Sequence, residues 1–380
     1  EILRCLVGSE MCIRDRSNFS VNDNLTTHTL YIVDEASMIS NEGLSGAVFG
    51  TGRLLDDLIQ FVYSGTGCRL VLMGDTAQLP PVGEEQSPAL FAEALKGYGL
   101  EVIEVDLTQV VRQVQDSGIL WNATRLRQLI AEDACESLPK IKVSGFADIK
   151  VVSGDELIDT LSTCYDRDGM DETIVVCRSN KRANIYNTGI RAQILWREDE
   201  LNTGDLLMVA KNNYYWTEKS KEMDFIANGE IAVLRRLRRT RELYGFRFAE
   251  VLLAFPDYGD FELEVNLLLD TLHTDAPALP KADNDRLFYA VLEDYADISM
   301  KRERMKKMKV DPHYNALQVK YAYAVTCHKA QGGQWKNVFL DQGYMTDEYL
   351  TPDYFRWLYT AFTRATGTLY LVNYPKEQIL

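Results

Sequence analysis

Two short runs in the first quarter of the chain place carboxylates where apolar strands should end. Leu30-Tyr31-Ile32-Val33 leads into Asp34-Glu35, and Cys68 to Met73 leads into Gly74-Asp75, with Gln78 three residues further on. Adjacent acids in that position suit phosphoryl transfer. One carboxylate holds Mg2+ through water, and the next orients the attacking water. An amide such as Gln78 can sense a γ-phosphate, and Pro80-Pro81 stiffens the exit of its loop. Two further runs lie far along the chain: Thr326-Cys327-His328-Lys329-Ala330-Gln331-Gly332 and Tyr359-Thr360-Ala361-Phe362-Thr363-Arg364-Ala365. Arg112 and Arg364 are arginines that, aimed at a γ-phosphate from another domain, would couple hydrolysis to domain closure. Singly, each has a plain alternative: a capped strand end, surface charge, a salt-bridge partner. Their joint occurrence in this order points to nucleotide chemistry. No G-x-x-x-x-G-K-[ST] loop occurs anywhere in the chain, so the usual phosphate cradle is missing from it.

The elements that must carry these residues are legible. Strand (Leu30–Val33), helix (Leu54 to Val62) and strand (Cys68–Met73), with polar residues at the strands' carboxyl ends, is the doubly wound pattern that places ligands at those ends. Thr173 to Cys177 opens a second unit of the kind. A helix is expected over roughly Lys181 to Ile194, and Val338–Leu340 and Leu369–Val372 add further strands. At the end of the Thr173–Cys177 strand stand Arg178, Ser179 and Asn180, which read equally as phosphate contacts and as a helix cap. Between Leu201 and Asn315 the texture changes to strands linked by turns (Gly204–Val209, Gly229–Leu234, Phe248–Phe255), the pattern of a small inserted β-barrel. A charged helix is expected near Asp285 to Lys309. Tyr214-Tyr215-Trp216 reads either as a base-stacking cluster or as filling for the barrel's core.

The bulk properties set bounds. At 380 residues the chain has room for two or three domains, and 46% hydrophobic with 26% charged residues is ordinary globular composition. Seven scattered cysteines without a C-x-x-C pair argue against a zinc site or a disulfide framework and suit a reducing compartment. No apolar run approaches 18 residues, so no membrane partner is expected. The net charge of −15 opposes nucleic-acid binding on average, and leaves room only for a local basic groove. Leu6 to Arg16 follows no helical or strand period and looks like a translated sequencing-library adapter. Residues 1–16 are therefore expected to be an assembly scar, with the phosphate loop lost upstream of Ser17.

On these residues the chain resembles superfamily 1 DNA helicases, most closely the RecD/Dda-like branch that moves 5′ to 3′. Asp34 and Glu35 match motif II, and Gly74 to Val82 matches the specific G-D-x-x-Q-L-P-P-V of motif III. Arg112 matches the arginine of motif IV. Thr326, His328, Lys329, Gln331 and Gly332 match motif V; Tyr359, Thr360, Thr363, Arg364 and Ala365 match motif VI. The turn Asn228-Gly229-Glu230 is similar to one in that branch's SH3-like insertion. The resemblance covers nearly everything from Ser17 onward.

The resemblance implies an α/β fold with two RecA-like, P-loop NTPase-type parallel-sheet domains, the first incomplete, and an SH3-like barrel inserted in the second. Its divisions would be residues 17–111 (first RecA-like domain), 112–200 with 316–380 (second) and 201–315 (barrel and charged helix). It implies ATP and Mg2+ as cofactors. Asp34 would carry the metal through water and Glu35 would be the catalytic base. Gln78, Arg112 and Arg364 would meet the γ-phosphate, with Asp75, Gln331 and Gly332 beside the nucleotide. Arg178, Ser179, Asn180, Thr326, His328 and Lys329 would lie along single-stranded DNA. The motifs upstream of motif II, and the strand-splitting pin that lies there, are missing. The expectation is therefore an ATP-dependent helicase or translocase whose present chain hydrolyses ATP negligibly, in a bacterial or phage-type cytoplasm near the nucleoid. Two rivals stand beside it: the motor subunit of a nuclease or recombination complex, and a single-strand-binding module without turnover. Intact Glu35 and Arg364 favour turnover.

Overall fold

The computed structural model of the chain describes residues 21–43, 50–107, 116–346 and 350–380. Residues 1–16 and Arg112 lie outside that set. The fold is α/β, with two parallel sheets and a small closed barrel, as expected. It divides into two compact units, residues 1–142 with 345–363 and residues 143–344 with 364–380.

In the first unit, β1 (Leu30–Val33) and β2 (Arg69–Leu72) pair in parallel with Val33 level with Leu72. The helix Leu54–Ser64 joins them. Its Leu55, Leu58, Ile59 and Val62 recur at helical spacing and are buried against Val33 and Ala36. Asp56 and Asp57 sit in its first turn, where the helix dipole favours acids. Helices Gly118–Ala131 and Pro352–Phe362 also belong to this unit. The second starts on a Thr351 cap and Pro352, the usual chemistry of a helix start.

The second unit holds a five-stranded parallel sheet and a barrel. The strands are β3 (Ile149–Val152), β4 (Thr173–Cys177), β5 (Leu206–Val209), β6 (Ile231–Leu243), β7 (Phe246–Phe255), β8 (Phe261–Leu268), β9 (Leu317–Tyr321), β10 (Ala324–Thr326), β11 (Trp335–Asp341) and β12 (Ala365–Val372). Sheet order is β10-β4-β11-β12-β3, and β5 to β9 close the barrel. β4 is buried at every residue, and it lies between β10 and β11.

Two details differ from expectation. The strand that closes the barrel, β9, lies beyond residue 315 and runs through Ala322-Tyr323 straight into β10, so barrel and motif V share one stretch of chain. The charged run is two helices, Lys281–Glu293 and Lys301–Lys309. The Arg304 guanidinium donates to the carbonyls of Ala296 and Ile298 at 3.0 Å each, satisfying groups that a continuous helix would have used itself. The arginine-rich half of β6 carries its charge in pairs: Arg235 with Asp260, Arg239 and Arg241 with Glu250, and Arg238 with Glu264. Among the described residues no helix is long and apolar enough to cross a membrane.

Candidate nucleotide and nucleic-acid site

In the first unit the carboxyl ends of β1 and β2 are stitched together. Met73 N–H donates to Val33 O and Ala36 N–H to Met73 O, both at 2.8 Å. Asp34 is exposed and accepts from the Glu35 N–H at 2.9 Å. Glu35 holds left-handed backbone (φ 50°), a conformation uncommon outside glycine, and turns the chain sharply at the strand end. Gly74 is favoured where it stands. A Cβ there would lie 2.8 Å from Leu90 Cδ1 and 3.0 Å from Ser37 N, so a side chain would crowd both and Leu90 would have to shift.

Asp75 is the hub of the motif III loop. Its Oδ1 accepts from Ala77 N–H and from the Arg127 guanidinium, each at 3.0 Å, and its Oδ2 accepts from the Tyr359 hydroxyl at 2.6 Å. Leu79 N–H donates to Thr360 Oγ1 at 3.0 Å. Gln78, between these anchors, is buried with Leu79, Pro80 and Pro81. Beyond them the Glu84 carboxylate accepts from Ser40 Oγ (2.5 Å) and Asn41 N–H (2.8 Å), binding the loops after motifs II and III to each other. Tyr359 and Thr360 were marked in the sequence without an assigned task. Here they hold Asp75 and Leu79. Arg127 carried no sequence signal beyond its charge.

The second unit gathers its residues by strand register. Thr326 on β10 is level with Cys177 on β4, and so is Asp341 on β11. Arg178, Ser179 and Asn180 therefore leave the sheet beside Thr326. Ser179 caps the helix Asn180–Gln193, its Oγ accepting from Arg182 N–H at 3.2 Å. Arg178 and His328 are exposed. Lys329 Nζ donates to Asn228 Oδ1 of the barrel turn, and burial lowers its pKa. Cys327 beneath them is fully buried, its thiol pushed up to about 12 by loss of water.

Asp341 repeats the signature of Asp34, an acid at the end of an apolar strand, and the sequence reading passed over it. Its Oδ2 accepts from Arg182 Nε and from the Tyr186 hydroxyl, both at 2.6 Å. Arg364 is buried. It donates to Gly333 O at 3.1 Å, while Trp335 N–H donates to its own carbonyl at 2.9 Å, so the arginine is held against the end of the motif V loop near Gln331 and Gly332. The barrel is fastened to the same region by a buried carboxylate. Asp205 accepts from Arg191, Arg197 and the Tyr323 hydroxyl at 2.7 to 3.1 Å. Tyr214-Tyr215-Trp216 lies outside the barrel strands, in the connection from β5 to β6.

Residues 321–372, which span β10, β11 and β12, match the family model of the UvrD-like helicase C-terminal domain. That stretch of the chain is similar to the C-terminal domain of UvrD-like helicases. That domain holds motif V and all of motif VI named above. The whole chain is similar to the Pif1 helicase from Bacteroides solved with ADP-AlF3 and single-stranded DNA: 15% identity, covering 92% of this chain and 72% of that one, with a TM-score of 0.47. It is similar to the Pif1 helicase from Candida albicans at 17% identity, 92% and 72% coverage and a TM-score of 0.40. An uncharacterized protein of Acanthamoeba polyphaga mimivirus is 21% identical over 392 residues, covering 90% of this chain and 74% of that protein.

The residues present fit one end of a Mg2+–nucleotide site. Asp34 is an exposed carboxylate at a strand end, suited to a water-mediated Mg2+. Among the described residues no cluster of three or more histidine, cysteine or acidic side chains could hold a metal by itself.

Proposed function

We propose that the chain is the motor portion of an ATP-dependent DNA helicase or translocase that moves on single-stranded DNA, 5′ to 3′ in the manner of the RecD/Dda-like branch. The observation that carries this reading is the joining of motifs III and VI through Tyr359–Asp75 and Thr360–Leu79. Loops read separately as nucleotide-sensing are one hydrogen-bonded assembly, so a γ-phosphate felt at Gln78 is felt at the helix that leads directly into Arg364. The UvrD-like match across motif V supports it independently.

In this reading Asp34 carries Mg2+ through water and Glu35 takes the proton of the attacking water. Gln78, Arg112 and Arg364 meet the γ-phosphate, and Asp75, Gln331 and Gly332 shape the loops around it. Arg178, Ser179, Asn180, Thr326, His328 and Lys329 track the DNA backbone, with Ser179 also capping the helix that begins at Asn180. By the motifs alone the division is residues 17–111, then 112–200 with 316–380, with 201–315 inserted; the compact units divide the chain differently, at residue 142 and around 345–363, and the barrel takes its closing strand from Leu317–Tyr321. Because the 380 residues contain no G-x-x-x-x-G-K-[ST], the chain as it stands hydrolyses ATP negligibly.

The test is DNA-stimulated ATP hydrolysis by this chain and by a version with a phosphate-loop segment grafted before Ser17. Turnover in the grafted version, abolished by Glu35→Gln, is expected. No turnover from a folded grafted version that still binds single strands would favour the binding-module alternative.

A further inference from the structure

The connection from β5 to β6, which the motifs do not touch, is a braced loop with an aromatic pair on it. Asn213 and Ile226 exchange backbone hydrogen bonds at 2.9 and 2.8 Å, closing the base of the loop. The Asn213 side chain accepts from Tyr215 N–H at 3.0 Å and donates to Asn315 O at 2.9 Å. Trp216 is turned inward by its indole N–H, which donates to the same carbonyl at 2.8 Å. Tyr214 is left differently. Its ring stacks on Phe225 (centroids 5.1 Å apart, 25° between planes), and it stays 37% exposed.

A continuous line of chain and contacts joins this pair to motif V. Asn212 stands two residues before Tyr214 on the same loop. Asn212 Oδ1 accepts from Asn228 N–H at 2.7 Å. Asn228 Oδ1 in turn accepts from Lys329 Nζ. The bonds within the loop hold it in shape, so the rings are preorganised at a fixed place relative to Lys329. The loop's charges nearly balance, Lys219 and Lys221 against Glu218, Glu222 and Asp224. Attraction to phosphates therefore does not account for what this surface could bind. An aromatic face does: every nucleobase offers a π-surface to stack on, and stacking tolerates any sequence.

We propose that the Tyr214–Phe225 pair is a base-stacking platform that extends the single-strand track beyond motif V, taking one unpaired nucleobase of the strand whose backbone Lys329 grips. This rests on the reading of the motif V edge as the single-strand site. The track therefore leaves the sheet and continues over the barrel by way of Asn228 and Asn212.

The experiment uses the full chain and fluorescein-labelled oligothymidylate, with binding followed by anisotropy across a range of salt. Tyr214→Ala is expected to weaken binding roughly tenfold, as loss of one base stack does, with an unchanged slope of log K against log salt. Tyr214→Phe, which keeps the ring, is expected to bind like the unaltered chain. A single abasic site moved along the oligonucleotide should reproduce the loss at one position in the unaltered chain and at none in Tyr214→Ala. Equal affinities of the unaltered and Tyr214→Ala chains overturn the platform while leaving the motif V site standing. An altered salt slope in Tyr214→Ala also overturns it, because the loop would then act through phosphates. If the unaltered chain binds no oligothymidylate, the motif V reading fails and the platform with it.

Discussion

The Tyr359 hydroxyl donates to Asp75 Oδ2 at 2.6 Å, between residues 284 positions apart in the chain. Asp75 already accepts from Arg127 and from Ala77 N–H, so the carboxylate is fully engaged in shaping the loop that carries Gln78. An acid expected from sequence to lie beside the nucleotide also anchors the loop that carries the neighbouring amide.

Tyr359→Phe removes one hydrogen bond to a charged group and should destabilise the first unit by about 1.5–3 kcal/mol. Combined with Asp75→Asn in a double-mutant cycle, the coupling should reach about 1 kcal/mol, read by urea unfolding. Strictly additive effects would mean the contact contributes nothing of its own.

Asp205 faces two guanidiniums, and its side chain is fully buried while that of Arg191 is 8% exposed. Asp205→Asn keeps the shape and removes the charge that balances them. The loss should be about 3–5 kcal/mol, as for other broken buried pairs. A loss under about 1 kcal/mol in urea unfolding would show that water relieves the arginines.

Lys329→Ala should lower the slope of log K against log salt for single-stranded DNA by about 0.7, one phosphate contact's worth. Asn228→Ala frees the same ammonium from its neutral partner and should leave the slope unchanged. An unchanged slope in Lys329→Ala would take the lysine off the backbone track.

Cys327 has a thiol pushed from 9.0 up to about 12 by burial. A raised folded pKa gives stability that is complete below pH 9 and is lost as pH rises from about 9 toward about 12, because only the unfolded chain ionises there. The loss should run at no more than about 1.4 kcal/mol per pH unit. Cys177, also buried and raised, adds in the same direction. Replacing both by alanine should lessen the fall in stability between pH 9 and 10.5, the part that remains coming from buried tyrosines such as Tyr186 and Tyr323, whose pKa values burial also raises. Iodoacetamide should leave Cys327 untouched in the folded chain at pH 8, and rapid modification there would contradict the burial.

Local signals were legible wherever one short segment contained its own physics. An apolar run closed by acids announced β1 and β2 within a residue of their ends, and the apolar Thr173–Cys177 run announced β4. Helical spacing of Leu55, Leu58, Ile59 and Val62 announced the helix between β1 and β2. Motif residues Asp34, Gly74 and Thr326 fell at strand ends, since in a doubly wound sheet that is where polar side chains escape the core. Gly74 shows why a motif can favour one residue: a Cβ there would crowd Leu90 and Ser37, and Leu90 would have to shift.

What the sequence by itself determined, then, was the order of the strands' chemistry: which ends carry acids, which helices follow, and that a barrel-like stretch interrupts the second sheet. Only the tertiary structure decided partnership. Tyr359 finds Asp75, Arg191 and Arg197 share Asp205, and Asn228 meets Lys329 across roughly 100 residues of chain. These bonds depend on chain reversals whose residues have no pattern in common, and a hydrogen bond's partner is set by where the backbone brings it. The same limit hid Asp341, whose local sequence is as suggestive as that of Asp34 but whose Oδ2 is taken by Arg182 and Tyr186 and whose Oδ1 accepts from Gly343 N–H. It also hid the Tyr214–Phe225 stack, because two rings eleven residues apart become one surface only when Asn213 and Ile226 close the loop between them.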